Sequence, residues 1–390
     1  MKFNKFNFYH YIVFFYGYFL FSFFNLKIFN SEDNNKAIIL YGHKFYGNLK
    51  SLYEATSENY KCYFLTLDYQ NFKKLKSKNI NVLYGLSSKH LKIVINSKIF
   101  ITDHGMHYFK KFLENDDKIV IDVNHGIPFQ RWDEKIMSQW NNFDEVWLLS
   151  EMHKKIYVDI FKHKNKENLY VTGYGRLDYI KQFNNSSNKN IIIKDLKEKL
   201  NLPTNKKTIL YAPTWIHDKN LVKNNFMSPK NFDFLNYLDG IANELDLNII
   251  FRPHLNTKFT KRFKNNLNQL RNIFYMPQES FDNVEDFLII SDILLTDYSS
   301  ISLDYILLKR PVLFLNTPYS FNSGIFNDKF MRFGKKIDKD EIGSIMKKYL
   351  NNSSDYFLDC PQHMKTLSEL HEDIESTAKD NYLKRVSKFF

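Results

Sequence analysis

The sequence predicts an α/β protein of two Rossmann-like domains, each a parallel sheet wrapped by helices. Three observations lead there. A chain of 390 residues is too long for one ordinary core and suits two domains of about 150–200 residues with a cleft between them. Short apolar, β-rich runs alternate with helical stretches along most of its length, the signature of parallel strands joined by helical crossovers. A polar, low-complexity tract at 181–190, KQFNNSSNKN, separates two such series and reads as a linker.

The first element precedes both series. From Phe6 to Leu26 there is no Lys, Arg, Asp or Glu, while Lys2, Lys5 and Lys27 flank the stretch. A spanning helix needs about 20 mostly apolar residues, and here Asn7, His10, Ser22, Asn25 and several tyrosines dilute the run. That aromatic density suits the headgroup interface, and no small-residue cleavage site follows Leu26. Residues 1–30 are therefore expected to be a membrane-associating helix, not a cleaved signal, which places the protein at the cytoplasmic membrane surface.

Strands of a first domain, 36–185, are expected at Ala37–Tyr41, Cys62–Leu67, Ile93–Thr102, Ile119–Val123 and Val146–Leu149. Those of a second domain, 191–385, are expected near Thr208–Tyr211, Asn248–Phe251, Ile293–Leu295 and Val312–Leu315. There is no GxGxxG or Walker-type loop and no repeat at solenoid spacing.

Composition narrows the classes of function. A hydrophobic content of 44% and a charged content of 25% describe a folded protein, and the abundance of Phe, Tyr, Lys, Asn and Ile follows an A/T-rich codon bias. The net charge of +12 suits an anionic membrane or a nucleotide substrate. No zinc-finger spacing, arginine-rich tract or RNP-type motif accompanies it, so nucleic acid is not an expected partner. Cys62 and Cys360 stand singly and far apart, which excludes a disulfide framework and a cysteine-based zinc site.

The candidate site residues cluster at strand ends, where open parallel sheets bind ligands. In Ser291–Leu315 a buried strand runs into Asp297-Tyr298-Ser299-Ser300, then a helix, then a second strand. Ser299 and Ser300 either add hydroxyl donors to an anion seat at the helix start or simply cap the helix. Asp304 follows Ser300 by four residues, about one helical turn, and suits ribose hydroxyls. His125, in Asn124-His125-Gly126-Ile127-Pro128, stands at the carboxyl edge of the first sheet as a candidate general base, or else bonds its loop. In the second domain Arg252 and His254 follow an apolar strand and suit a diphosphate, although Arg252 could pair with a helix carboxylate instead. Arg176, in Gly173–Asp178, and Thr214, in Tyr211–Trp215, are further candidates for binding substrate, and His104 after Asp103 is a weaker one. Asp103 and Asp297 fall in different domains, so neither a metal nor an organic cofactor is expected.

Taken together, these segments resemble the CDP-glycerol glycerophosphotransferase family of teichoic acid and capsular polymer primases and polymerases, over about residues 36–350. Asn124–Pro128 is similar to the family's His-Gly-Thr-Pro turn, Gly173–Asp178 to Gly-Tyr-Pro-Arg-Asn-Asp, and Leu210–Trp215 to Leu-Tyr-Ala-Pro-Thr-Trp. Arg252-Pro253-His254 resembles Arg-x-His, and Thr296–Ser300 with Asp304 and Lys309-Arg310-Pro311 resembles the family signature. Ile127, Gly175 and Leu177 depart from it, which leaves the transferred polyol open.

The resemblance implies a GT-B architecture, with the nucleotide against the carboxyl-terminal domain and the acceptor against the amino-terminal one. It implies that a hydroxyl of a lipid-linked or polymeric acceptor, deprotonated by His125, attacks the distal phosphorus of a CDP-polyol such as CDP-glycerol and releases CMP. Arg252, His254, Ser299 and Ser300 would neutralise the diphosphate, Asp304 would hold the ribose, and Asp297, Arg176 and Thr214 would complete the substrate site. The alternatives are a GT-B glycosyltransferase using a nucleotide sugar and a non-catalytic membrane-surface protein.

Overall fold

The computed structural model describes residues 8, 11–12, 15–16, 19, 37–42, 44–105, 118–127, 142–214, 225–254, 257–281, 283–317, 328–371 and 377–390. Two compact units result. The first comprises residues 1–126, 132–178 and 373–390, and the second 127–131 and 179–372.

The sheet of the first unit contains β1 (Ala37–Tyr41), β2 (Lys61–Thr66), β3 (Val82–Tyr84), β4 (Ile99–Thr102), β5 (Ile119–Asp122), β6 (Glu145–Leu148) and β7 (Leu169–Val171). Its spatial order is β3-β2-β1-β4-β5-β6-β7, and every neighbouring pair is parallel. In the second unit β8 (Lys207–Tyr211), β9 (Leu247–Phe251), β10 (Ile273–Tyr275), β11 (Ile293–Thr296), β12 (Val312–Leu315) and β13 (Lys335–Ile337) form a parallel sheet in the order β10-β9-β8-β11-β12-β13. Strand order reverses between β1 and β4, and again between β8 and β11. Loops leaving those strands diverge and open the crevice where such sheets take ligands.

Central strands such as Ala37–Tyr41 and Leu247–Phe251 are buried along their whole length, because helices cover both faces. Helix Phe232–Glu244 shows the complementary pattern: Asn231 caps its start, and Phe234, Leu235, Leu238, Ile241 and Ala242 form the buried stripe.

Several expectations are revised. The run Ile93–Thr102 divides into the end of helix Ser88–Asn96 and strand β4, since Leu91, Val94 and Ile95 are buried at helical spacing and Asn96-Ser97-Lys98 breaks the apolar run. The polar tract 181–190 is mostly helical, within Gly175–Asn185 and Lys189–Lys199. The chain passes between units at 178/179, and residues 373–390 return to the first unit instead of completing the second.

Of the expected membrane-associating segment, Phe8, Tyr11, Ile12, Phe15, Tyr16 and Phe19 are described, and all are helical and exposed. The rest of 6–26 lies outside the described residues, as do Pro128 and Trp215 of the quoted motifs. Among the described residues no helix is long and apolar enough to cross a membrane.

Candidate active site

Three consecutive strand ends build the centre in the first unit. Tyr41 of β1 aligns with Thr102 of β4, and Thr102 with Asp122 of β5, so Gly42, Asp103-His104 and Asn124-His125 leave the sheet side by side. Asp103 is only 4% exposed. Its main-chain oxygen lies 2.9 Å from Nδ1 of His125, and its carboxylate Oδ1 lies 2.6 Å from Nδ1 of His104. A carbonyl can only accept, so Nδ1 of His125 carries the proton and Nε2 keeps its lone pair. The two imidazoles stack with centroids 4.1 Å apart and planes 11° from parallel. Residue 103 thus holds both rings, one through its backbone and one through its side chain.

Gly42 makes this possible. A Cβ there would sit 2.5 Å from Cδ1 of Leu49 and 2.7 Å from Oδ1 of Asp103, so only glycine admits the carboxylate so close to β1.

Asn124 aims His125. Its φ of 52° lies in the left-handed region, which Asn tolerates better than most residues. Four hydrogen bonds hold that conformation. Its N–H donates to Oδ1 of Asp122 at 2.7 Å, its carbonyl accepts from Nδ2 of Asn48 at 2.8 Å, its Oδ1 accepts from the Tyr157 hydroxyl at 2.7 Å, and its Nδ2 donates to Trp147 O at 3.4 Å. Arg176 closes the group: Nη1 donates to the carbonyl of His125, and its guanidinium lies 5.0 Å from the Tyr174 ring centroid. The motifs around residues 125 and 176, separate in sequence, therefore meet.

Burial raises the Asp103 carboxyl to about 7, against the opposing fields of His125 and Arg176. The protein around His125 lowers its pKa to about 4, and His104 pushes the same way. An edge of His125 is exposed, so water offsets part of the desolvation; the downward direction stands, and the imidazole is a neutral base at pH 7.

In the second unit the loops after β8 and β11 are joined at the strand-order reversal. Asp297, 1% exposed, accepts from the N–H of Thr214 at 2.8 Å and from the N–H of Tyr298 at 2.6 Å. Oγ1 of Thr214 is buried without a hydrogen-bond partner among the described residues. Ser300 immediately precedes helix Ile301–Tyr305, has helical backbone angles and makes no side-chain cap; Ser299 accepts, through its carbonyl, from the Ser302 hydroxyl. Ser299 and Asp304 are half-buried and Ser300 is exposed.

Arg252 donates to the carbonyls of Met276 at 3.2 Å and Phe281 at 2.9 Å and lies over the Phe287 ring, bracing the turn beyond β10. His254 is exposed, three residues beyond the end of β9 at Phe251. Among the described residues no group of three or more His, Cys, Asp or Glu could hold a metal ion.

The family model for CDP-glycerol:poly(glycerophosphate) glycerophosphotransferases matches residues 21–356. The chain belongs to that family. As a glycerophosphotransferase-family member it is 25% identical over 353 residues to the teichoic acid poly(glycerol phosphate) polymerase of Bacillus spizizenii, covering 82% of this chain and 83% of that one. It is 24% identical over 233 residues to the teichoic acid glycerol-phosphate transferase of Staphylococcus aureus, covering 59% of this chain but 56% of the relative. The fold is similar to that of the wall teichoic acid polymerase TagF, with a TM-score of 0.73 at 20% identity over 97% of this chain and 94% of that one.

Sequence reasoning missed Asn48, Asn124, Tyr157 and Gly42 as parts of this site. The first three act across long sequence separations. Asn immediately before His-Gly is a local hint of a left-handed turn.

Proposed function

We propose that this family member transfers a polyol phosphate, most simply glycerol phosphate, from a CDP-polyol to a hydroxyl of a lipid-linked or polymeric acceptor, in the synthesis of a teichoic-acid-like or capsular polymer. The observation that carries the reading is the fixed tautomer of His125, whose Nε2 is left basic by the bond from Nδ1 to Asp103 O. Nε2 takes the proton from the acceptor hydroxyl, the oxygen forms a bond to the distal phosphorus, and the phosphorus–oxygen bond to CMP breaks. A weak base suffices, because phosphoryl transfer depends mainly on alignment and charge neutralisation. The Asp103 main-chain oxygen goes on accepting from Nδ1, so the imidazolium that forms keeps its partner.

On the donor side Ser299 and Ser300 offer hydroxyls to the diphosphate, His254 donates to the leaving oxygen, and Asp304 receives the ribose. The orphan Thr214 hydroxyl is a donor waiting for an acceptor. Arg252 contributes positive charge while holding the turn at Met276–Phe281. The relatives' names support the polyol phosphate chemistry, and a TagF variant soaked with CDPG shares the fold, with a TM-score of 0.74.

A position at the cytoplasmic membrane surface fits two features. The described residues Phe8, Tyr11, Ile12, Phe15, Tyr16 and Phe19 present aromatic and aliphatic surface at helical spacing. Residues 69–102 contain Lys73, Lys74, Lys76, Lys78, Lys89, Lys92 and Lys98 but no Asp or Glu, which suits anionic lipid.

The test is CMP release from CDP-glycerol and CDP-ribitol by the detergent-purified full chain with an oligomeric polyol-phosphate acceptor. Acceptor-dependent CMP supports the reading and names the donor. Silence with both, alongside turnover of a nucleotide sugar, replaces it with glycosyl transfer.

A further inference from the structure

The last helix of the chain, Ala378–Val386, grips the loop that carries Arg176. The hydroxyl of Tyr382 accepts from the N–H of Gly175 at 3.0 Å and donates to the carbonyl of Gly173 at 3.2 Å. Its ring is fully buried and stacks on Trp147, with centroids 5.4 Å apart. Asn381 donates to Thr172 O at 3.1 Å, and Asp178 returns the grip by accepting from the N–H groups of Ala378 and Lys379 at 3.1 and 3.0 Å. Lys379 pairs with Glu54, and Arg385 pairs with Glu145.

The glycines fit this contact closely. Gly173 has φ +78°, and a Cβ there would lie 3.1 Å from Cβ of Ala378. A Cβ at Gly175 would come within 2.8 Å of the Tyr382 ring and 2.6 Å of Cβ of Ser51. The turn that begins helix Gly175–Asn185 is therefore shaped by a side chain about 200 residues downstream, as the separation of 207 positions in that hydrogen bond records. One residue beyond Gly175, Arg176 reaches the carbonyl of His125.

We propose that Tyr382 is a positioning residue for the transfer reaction: its hydroxyl bridges Gly173 and Gly175 so that Arg176 meets the His125 main chain and holds the imidazole on its target. The proposal rests on the reading of His125 as the base. It makes helix Ala378–Val386 a working part of the site, acting through its bonds to residues 172–178. Removing the hydroxyl leaves the Trp147 stack in place, so the fold persists while the turn loses both of its bonds to that oxygen.

The experiment is a double-mutant cycle on acceptor-dependent CMP release with Tyr382→Phe, Arg176→Ala and the double variant, each checked for an unchanged near-ultraviolet circular dichroism spectrum. Tyr382→Phe is expected to lower kcat by roughly five- to a hundredfold, the range a small misplacement costs, with KM for the donor little changed. The double variant should be no slower than Arg176→Ala alone, because Tyr382 acts through Arg176. A kcat for Tyr382→Phe equal to the parent, or losses that multiply in the double variant, overturns the positioning role. If Arg176→Ala itself keeps full activity while the parent releases CMP, the site assignment fails instead.

Discussion

Nδ1 of His125 lies 2.9 Å from the main-chain oxygen of Asp103, so the tautomer of the candidate base is fixed by backbone and not by a side chain. Substitution at 103 therefore leaves this bond in place, whereas substitution at 125 removes the base itself. His125→Ala should lower acceptor-dependent CMP release by about 10²–10⁴-fold, the usual contribution of a general base, with the unfolding midpoint nearly unchanged. Steady-state kinetics and a thermal melt on the same preparation check both halves.

Thr214→Val separates a ligand-facing hydroxyl from a structural one. Because Oγ1 makes no hydrogen bond among the described residues, its loss should leave stability within about 0.5 kcal/mol, while KM for the CDP donor rises several-fold. A drop in stability with unchanged KM would refute the assignment.

Gly42→Ala should do the opposite, damaging the fold around the site. Its Cβ would stand 2.7 Å from Oδ1 of Asp103 and 2.5 Å from Leu49, an overpacking that costs about 1–3 kcal/mol. Urea unfolding would show the loss, and activity should fall with it as Asp103 is displaced from His104.

Acid should destabilise the second unit through His363. This imidazole is wholly buried, hydrogen-bonded to the Tyr356 hydroxyl at 2.8 Å and near Ile306 O, and burial lowers its pKa to about 4. Its folded-state pKa lies below the unfolded value of 6.5, so the unfolded chain takes up the proton first. Stability is full above about pH 6.5 and declines as pH falls from there to about 4, by at most ~3 kcal/mol from this group. Replacing His363 with Gln should flatten that slope in unfolding titrations at pH 7 and pH 5.

The activity profile carries a related signature. Because His125 must be neutral to accept a proton and its pKa is lowered toward about 4, kcat/KM should hold down to mildly acidic pH and fall only below the ordinary imidazole range. An acid limb near or above 6.5 would mean that solvent at the exposed edge cancels the shift.

The strands missed in the sequence share a position. β3, β7, β10 and β13 are the four sheet edges, each three residues long, and edge strands escape the two-sided burial that writes a continuous apolar run. The central strands were legible for the reason that makes them central. The site followed the same division. His125 was visible because a strand and a Gly-Pro stop frame it, while Asn48 and Tyr382 are ordinary helix residues whose roles exist only through contacts 76 and 207 positions away. The polar tract at 181–190 misled because solvated helix faces and linkers share one composition.

The return of residues 373–390 to the first unit also orders the protein's birth on the ribosome. Tyr382 and Val386 belong to the core that contains Ile38, Leu40 and Leu49, so the half translated first cannot close until residues 378–386 have been made. Residues 179–372, begun later, have their complete sheet available sooner. A nascent chain halted before Ala378 would carry Trp147 stripped of its partner ring, an apolar wound for chaperones to shield.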